Sequence, residues 1–213
     1  MTARIEVFPV AVVVPPAGSP WRELTNRSGR RCSFTRLWYR DDFTAPRAGG
    51  ALHHACDVFA PQGSLVLAPQ AGVVLDVGES PKGGHWLSMY AGPEHGAGRR
   101  YFFSHLLERP IIEPGQRVEA GQELAKVGRT GNAITTCPHL HFGIRKAWRR
   151  RGGTVGVGQA VNPYPELVAV LPIPAGGLRF PPAETGSRAQ PATPSPSTST
   201  TTDPSKSPAE VQA

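Results

Sequence analysis

Short apolar segments with alternating polarity, separated by glycine and proline, most constrain what this chain can fold into. Val73, Leu75 and Val77 alternate with their neighbours along one such segment, which Gly72 and Gly78 bound. The 24 glycines and 23 prolines among 213 residues are too many for a helical bundle. We find no helical period longer than two turns. The pattern therefore predicts an all-β fold, a sandwich or a barrel.

Three parts are predicted along the chain. Residues 1–21 form an extended N-terminal segment, in which the valine-rich run 10–14 is a strand or an extended arm. An acidic residue and a proline interrupt this segment, so a secretory signal is the weaker alternative, and export would need another route or an upstream segment. Residues 22–170 form the folded domain. Residues 181–213 are mostly Pro, Ser, Thr and Ala, and we predict a disordered tail there.

The charge of the chain restricts its partners. The net charge is +7, and because the tail is nearly neutral, the folded part is basic. A basic surface favours anionic partners such as nucleic acid or an anionic cell wall. Because zinc-finger spacing, an RNP-like motif and a heptad-linked basic region are all missing, we expect no nucleic acid partner. With no apolar stretch of 18 residues we expect no transmembrane segment, and three cysteines exclude a disulfide scaffold.

Two pairs of residues suggest a metal site. His53 and Asp57 are four positions apart, so they face the same side of a strand or a helix, and the small Ala55 between them leaves room for an ion. His139 and His141 are two apart and share one face of a strand, while their apolar neighbours face a core. Two His and one Asp make the three protein ligands of a catalytic zinc site. From spacing alone, a purely structural role for these residues stays open.

Short motifs in a fixed order carry a resemblance to a known family. The first is His53-His54-Ala55-Cys56-Asp57, followed by an Ala-Pro-Gln-Gly turn at residues 60–63. The others are residues 68–74, 101–106, 118–122 and 127–131, the Pro-His-Leu-His-Phe run at 138–142, and Asn162-Pro163. Together they resemble, in order, the motifs of the M23 metallopeptidases, which are peptidoglycan endopeptidases of the lysostaphin and LytM type. The resemblance covers about residues 22–168.

The resemblance implies a set of site residues. The zinc ligands would be His53, Asp57 and His141, holding one Zn²⁺ per chain, and the catalytic pair would be His105 and His139. We expect His105 to share a strand face with Tyr101 and Phe103.

The resemblance also implies a fold and a function. The fold would be an antiparallel β-sheet of the barrel-sandwich hybrid type. Loops 78–85 and 92–100, which contain His85 and His95, would wall its groove. The function would be that of a zinc metalloendopeptidase, a hydrolase that cleaves peptide cross-links of bacterial peptidoglycan with a metal-activated water. Its partners would be stem peptides or cross-bridges and anionic wall polymers. We expect a monomer in the cell envelope or outside the cell.

Some residues depart from the family pattern. Ala55 stands where the family has Gly, which would tighten the groove without abolishing ligation. Cys137 precedes the Pro-His-Leu-His run, and we expect it to be a small apolar filler. Cys56 should point into the core, and Cys32 is too isolated to interpret.

Two other functions stay open. The first is a non-catalytic LytM-type module that recruits or activates a cell-wall amidase. Such relatives usually lose one or more ligands, whereas all five key residues are present here. The second is a biotinyl or lipoyl carrier, which needs a lysine at a hairpin tip. Lys126 lies instead within a strand-like segment, so this alternative ranks well below the first.

Overall fold

A computed structural model describes residues 4–174 and 176–181, and an antiparallel β-sheet dominates it. The described residues form twelve strands, namely β1 (Val10–Ala11), β2 (Arg36–Leu37), β3 (Cys56–Phe59), β4 (Leu65–Leu67), β5 (Gly72–Ser80), β6 (Gly84–Ala91), β7 (Gly96–Leu106), β8 (Arg117–Val118), β9 (Glu123–Lys126), β10 (His139–Arg149), β11 (Val155–Val161) and β12 (Leu178–Arg179). The helices in this part of the chain are α1 (Tyr164–Val170) and three 3₁₀ turns at Pro20–Glu23, Ala48–Gly50 and Gly131–Thr135. The predicted all-β class is confirmed.

The largest sheet has seven strands. Six of them follow the order β11-β10-β7-β6-β5-β8. The seventh, β3, pairs with residues 139–142 of β10, whereas β11 pairs with residues 144–149 of the same strand. Two smaller sheets complete the fold, β1-β4-β9 and β12-β2. Every recorded strand pairing is antiparallel. The sheet topology therefore places β10 between β7 and the short strand β3.

Strand β10 has one face in the core and one face towards a site. Leu140, Phe142 and Ile144 are fully buried and belong to the main hydrophobic cluster. Phe142 packs against Phe103 and Tyr101 of β7, with ring centroids 5.5 and 5.9 Å apart. Burying side chains of this size stabilises the sheet by about 1.5–3 kcal/mol each. The alternation predicted for this strand is confirmed, and it fixes the direction of the intervening histidines.

The N-terminal segment packs onto this core as an extended chain. Val10 and Ala11 pair with Val66 and Leu65 of β4. Ile5, Phe8 and Val10 are each less than a tenth exposed. The predicted strand or extended arm is therefore present as the short strand β1. The domain boundaries predicted around it stay predictions, and the tail predicted from residue 181 onward lies outside the described residues after Pro181.

The predicted groove loops are shorter than the sequence suggested. Gly78 to Ser80 continue β5 and His85 lies on β6, so only residues 81–83 form the turn between these strands. Likewise β7 begins at Gly96, which leaves residues 92–95 as a turn that contains the exposed His95. The glycines that suggested loops are accommodated in strands. Among the described residues, no helix has the length and apolar character needed to cross a membrane.

Candidate metal centre and its histidines

Strands β3 and β10 place two of the predicted ligands opposite each other. His141 of β10 is the direct cross-strand partner of Asp57 in β3. Asp57 alternates with the buried Cys56 and Val58, so it faces away from the core, as His141 does. Cross-strand neighbours of this kind have Cβ atoms about 4.5–5.5 Å apart. The register alone therefore brings an imidazole and a carboxylate together.

His53 reaches the same place by a different route from the predicted one. Strand β3 begins only at Cys56, so His53 does not lie on it. His54 adopts a left-handed conformation with a φ of 56°, which few non-glycine residues adopt. The backbone N–H groups of His53 and His54 donate to the carbonyls of Ala45 and Phe43. This turn directs the His53 ring towards Asp57. The two side chains are therefore close because of the turn and not because they share a face of one strand.

Three donor atoms converge. Nε2 of His53 lies 2.9 Å from Nδ1 of His141 and 3.0 Å from Oδ1 of Asp57. Nδ1 of His141 lies 3.1 Å from the same carboxylate oxygen. Zinc binds nitrogen and oxygen at about 2.0–2.2 Å, so donors on one ion must lie within about 4 Å of each other. The arrangement and the chemistry of the donors fit a zinc ion.

The electrostatics of the cluster favour a cation. Burial alone would raise the pKa of Asp57, but hydrogen bonds from His141 and His53 hold that pKa well below its usual range. Burial lowers the pKa of His53, but hydrogen bonds to Asp42 and Asp57 and the negative charges of these carboxylates have the larger combined effect and raise that pKa to about 9. The cluster therefore keeps an ionised carboxylate and binds a proton tightly when it holds no ion. A metal ion can replace this proton, because it compensates the same negative charge.

Two residues that the sequence analysis missed contact the predicted ligands. Nδ1 of His53 lies 3.1 Å from the backbone oxygen of Asp42 and 3.3 Å from its Oδ1. In the neutral ring that a metal ion requires, an N–H at Nδ1 donates to Asp42 and leaves the lone pair on Nε2. Arg47 donates to Oδ2 of Asp57 at 3.0 Å, which leaves Oδ1 to face the two imidazoles. No local motif marks Asp42 or Arg47, because the loop alone brings them to the site.

The other two predicted residues, His105 and His139, lie beside this cluster. Their ring centroids are 4.9 Å apart, and the ring of His105 is 5.8 Å from that of His141. Nδ1 of His105 is 3.0 Å from the carbonyl oxygen of Thr130, and Nδ1 of His139 is 2.8 Å from that of Cys137. Each ring therefore donates from Nδ1 to a backbone carbonyl and carries its lone pair on Nε2. In His139 this Nε2 lies 4.0 Å from Oδ1 of Asp57.

Both rings are neutral at ordinary pH. Burial, followed by the neighbouring His139 and His141, lowers the pKa of His105 to about 4. Burial also lowers the pKa of His139. A neutral imidazole with a free Nε2 can accept a proton, and its protonated form can return one.

The backbone at His105 corrects the predicted orientation of its side chain. Tyr101 and Phe103 face the core, and regular alternation would send His105 there too. However, His105 has a φ of 62°, and its backbone N–H donates to the carbonyl of Gly83 at 2.8 Å. The break in alternation turns the imidazole towards the other histidines. A left-handed non-glycine residue is costly, and such residues concentrate at functional sites.

A disulfide corrects the prediction for Cys137. Cys137 pairs with Cys32, 105 residues earlier in the sequence, so it is not a small apolar filler. Cys56 is free and fully buried, as predicted, and its thiol donates to the carbonyl of Arg40. The disulfide ties the segment around Cys32 to the residue whose carbonyl orients His139. A single bond of this kind is still not a disulfide scaffold.

Loss of this disulfide is expected to destabilise the fold. A cross-link that closes a loop of roughly 100 residues contributes up to about 4.7 kcal/mol in the chain-entropy model, and removing native disulfides costs about 2–5 kcal/mol. We expect the Cys32→Ser/Cys137→Ser variant to lose about 2–5 kcal/mol of unfolding free energy in urea titrations. The reductant-treated native protein should lose the same amount, while reductant should leave the double variant unchanged. Equal stability of oxidised and reduced native protein would contradict the expectation.

Comparison with known proteins places the site within a family. A family model described as Peptidase family M23 matches residues 51–163, just over half of the chain, and all five predicted site residues lie within it. The chain is 31% identical over 126 residues to an uncharacterized metalloprotease of Haemophilus influenzae, covering 59% of this chain and 22% of that protein. It is 33% identical over 92 residues to the peptidoglycan DD-endopeptidase ShyB of Vibrio cholerae, covering 43% and 20%.

The comparison with solved structures agrees. The structure of the antimicrobial peptidase lysostaphin from Staphylococcus simulans matches with a TM-score of 0.51 and 26% identity, over 71% of this chain and 57% of that one. The chain spans only about a fifth of the length of the two curated relatives above. Since the family model covers more than half of this chain, the conclusion about its family is direct. The chain belongs to peptidase family M23.

Proposed function

We propose that this protein is a zinc-dependent endopeptidase that hydrolyses peptide cross-links of bacterial peptidoglycan. The observation that carries the proposal is the convergence of His53, Asp57 and His141 on one point beside two neutral imidazoles. In this proposal the three residues hold one Zn²⁺ per chain, and His105 and His139 are the catalytic pair. The substrate class is supported by the relatives, one named as a peptidoglycan DD-endopeptidase and another as an antimicrobial peptidase.

The residues of the chain would divide the chemistry between them. When bound, zinc supplies Lewis acidity, which lowers the pKa of water and polarises a carbonyl. One of the neutral rings of His105 and His139 would accept a proton from the attacking water at Nε2, and that protonated ring would then donate to the developing oxyanion and return the proton to the leaving amine. The carbonyls of Thr130 and Cys137 keep each ring in the tautomer with its lone pair on Nε2. Asp42 does the same for His53.

The proposed location is the cell envelope or the extracellular space, with the protein acting as a monomer. The Cys32–Cys137 disulfide supports this location, because disulfides persist in oxidising compartments and are rare in the cytosol. The net charge of +7 supports attraction to anionic wall polymers around the peptide substrate.

Digestion of purified sacculi tests the function. We would incubate the zinc-loaded protein with walls cross-linked through glycine bridges and with walls cross-linked from D-Ala to diaminopimelate, and identify released muropeptides by mass spectrometry. We expect new amine termini at one type of cross-link, absent after chelation and restored by added zinc. His141→Ala serves as the inactive control. No release from either wall by folded, zinc-loaded protein would overturn the proposal and favour the non-catalytic LytM-type module.

A further inference from the structure

A cleft lined by arginines opens beside the catalytic pair. It has a volume of about 1070 Å³ and lies between residues 26–40, residues 132–138 and the region of helix α1. No aspartate or glutamate lines it within the described part of the chain. The five basic side chains in its lining are Arg27, Arg30, Arg31, Arg36 and Arg40. So many like charges around one cleft favour an anionic occupant.

Most of this charge is not neutralised by residues that the structure describes. Arg31 forms an ion pair with Glu23, which does not line the cleft. The other four arginines make no ion pair with any residue that the structure describes. Nε of Arg36 is buried and has no hydrogen-bond partner among those residues. Guanidinium groups bind carboxylates and phosphates through two parallel hydrogen bonds, so unpaired arginines offer anion-binding positions.

A row of stacked planar side chains leads from the cleft to the site. The guanidinium of Arg36 lies over the ring of Trp38, 5.9 Å from its centroid. Trp38 stacks on Phe59 at 4.2 Å with an interplanar angle of 4°, and Phe59 lies 5.0 Å from the ring of His139. Phe59 shares the site-facing side of β3 with Asp57, two residues away. One end of the cleft is therefore next to the reacting centre.

We propose that the arginine-lined cleft is a substrate subsite that binds free carboxylates of the wall peptide on one side of the scissile bond. This inference rests on the proposed function and names the chemical feature that the enzyme would select. The stacked surface of Trp38 and Phe59 holds the peptide backbone beside His139, while the arginines pair with its carboxylates. Diaminopimelate and the other acidic residues of wall stem peptides supply such groups, whereas a bridge made only of glycine has none.

The test compares two substrates and two matched variants of the full chain. The substrates are a diaminopimelate-cross-linked muropeptide dimer and the same dimer with its free carboxyl groups converted to amides. Arg27→Gln/Arg40→Gln removes two exposed charges from the cleft. Arg150→Gln/Arg151→Gln removes two exposed charges from the turn after β10, at the opposite end of that strand from His139. Both variants lower the net charge equally.

We expect the cleft variant to raise the KM for the acidic dimer about tenfold with little change in kcat, because charge-assisted hydrogen bonds are lost. The amidated dimer should have a raised KM with the native protein and no further rise with the cleft variant. An unchanged KM, equal effects of both variants, or an equal effect on both substrates would overturn the subsite. The proposed function fails only if the native protein cleaves neither dimer and also releases nothing from glycine-bridged walls. Titration calorimetry with the same dimers and variants then tests the subsite by binding alone. The subsite predicts that only the cleft variant loses affinity, and only for the acidic dimer.

Discussion

Replacing His141 with alanine is expected to remove zinc binding and all detectable hydrolysis while the chain stays folded. The change leaves only His53 and Asp57 as protein donors. Loss of a residue that merely orients a ligand reduces metal affinity by about 10–100-fold, so loss of a ligand should cost more than about 100-fold. The side chain of His141 is 23% exposed and faces away from the core, so its removal opens no internal cavity. Zinc content after dialysis and competition with a chromophoric chelator measure the effect.

His95→Ala is the matched control for this prediction. His95 is an exposed histidine in the turn between β6 and β7, outside the donor cluster. The control should keep one zinc per chain and full activity. Circular dichroism of both variants separates loss of metal from loss of fold. The assignment of His141 as a ligand would be wrong if His141→Ala retained zinc, or if both substitutions lowered the zinc content equally.

The sequence was sufficient to predict the strand that presents the site. Leu140 and Phe142 alternate with His139 and His141. Because alternate residues of a strand face opposite sides, this pattern predicts a strand with its apolar residues in the core and its histidines on the other face. Burial of the apolar pair fixes the direction of the histidines, because a shift of one residue would expose the whole core face. The all-β class follows for the same reason, since alternation of this kind recurs along the chain.

Alternation failed where the backbone leaves the extended conformation. Regular alternation would place His105 with Phe103 in the core, whereas its φ of 62° turns it to the site. His53 and Asp57 meet as predicted, but through a turn at His54 instead of a shared strand. Such positive φ values in non-glycine residues depend on tertiary contacts, including the bond from the N–H of His105 to Gly83. A local pattern contains no information about those contacts.

Long-range partners could not be predicted for a related reason. The Cys32–Cys137 pairing joins positions 105 residues apart, and the contact of Asp42 with His53 depends on how one loop folds back. Neither has a characteristic spacing. The resemblance to the family predicted a set of site residues but not the residues that contact them. Those contacting residues, like the arginines of the cleft, belong to segments that only the folded chain brings together.

The second large effect is expected from His105→Ala, which should lower kcat by about 10²–10⁴-fold while zinc binding remains intact. His105 bonds to the carbonyl of Thr130 and lies outside the three-donor cluster, so its removal leaves the ligands in place. It contributes one of the two neutral imidazoles beside the cluster. Steady-state kinetics on the muropeptide dimer, together with zinc content, measure both quantities. The KM should change little, because the ring acts on the reacting atoms.

His105→Gly separates loss of the imidazole from strain in the backbone. Glycine adopts a φ near 62° without the penalty that a Cβ brings, so this variant should fold at least as well as His105→Ala and be equally slow. Free imidazole in the buffer should restore part of its activity by occupying the space of the missing ring, and should do nothing for His141→Ala, which lacks zinc. Native kcat in either His105 variant would remove this residue from the catalytic pair. If both His105 variants lost zinc, His105 would instead be a residue that positions the ligands. The loss of the metal, and not the loss of proton transfer, would then account for the lost activity.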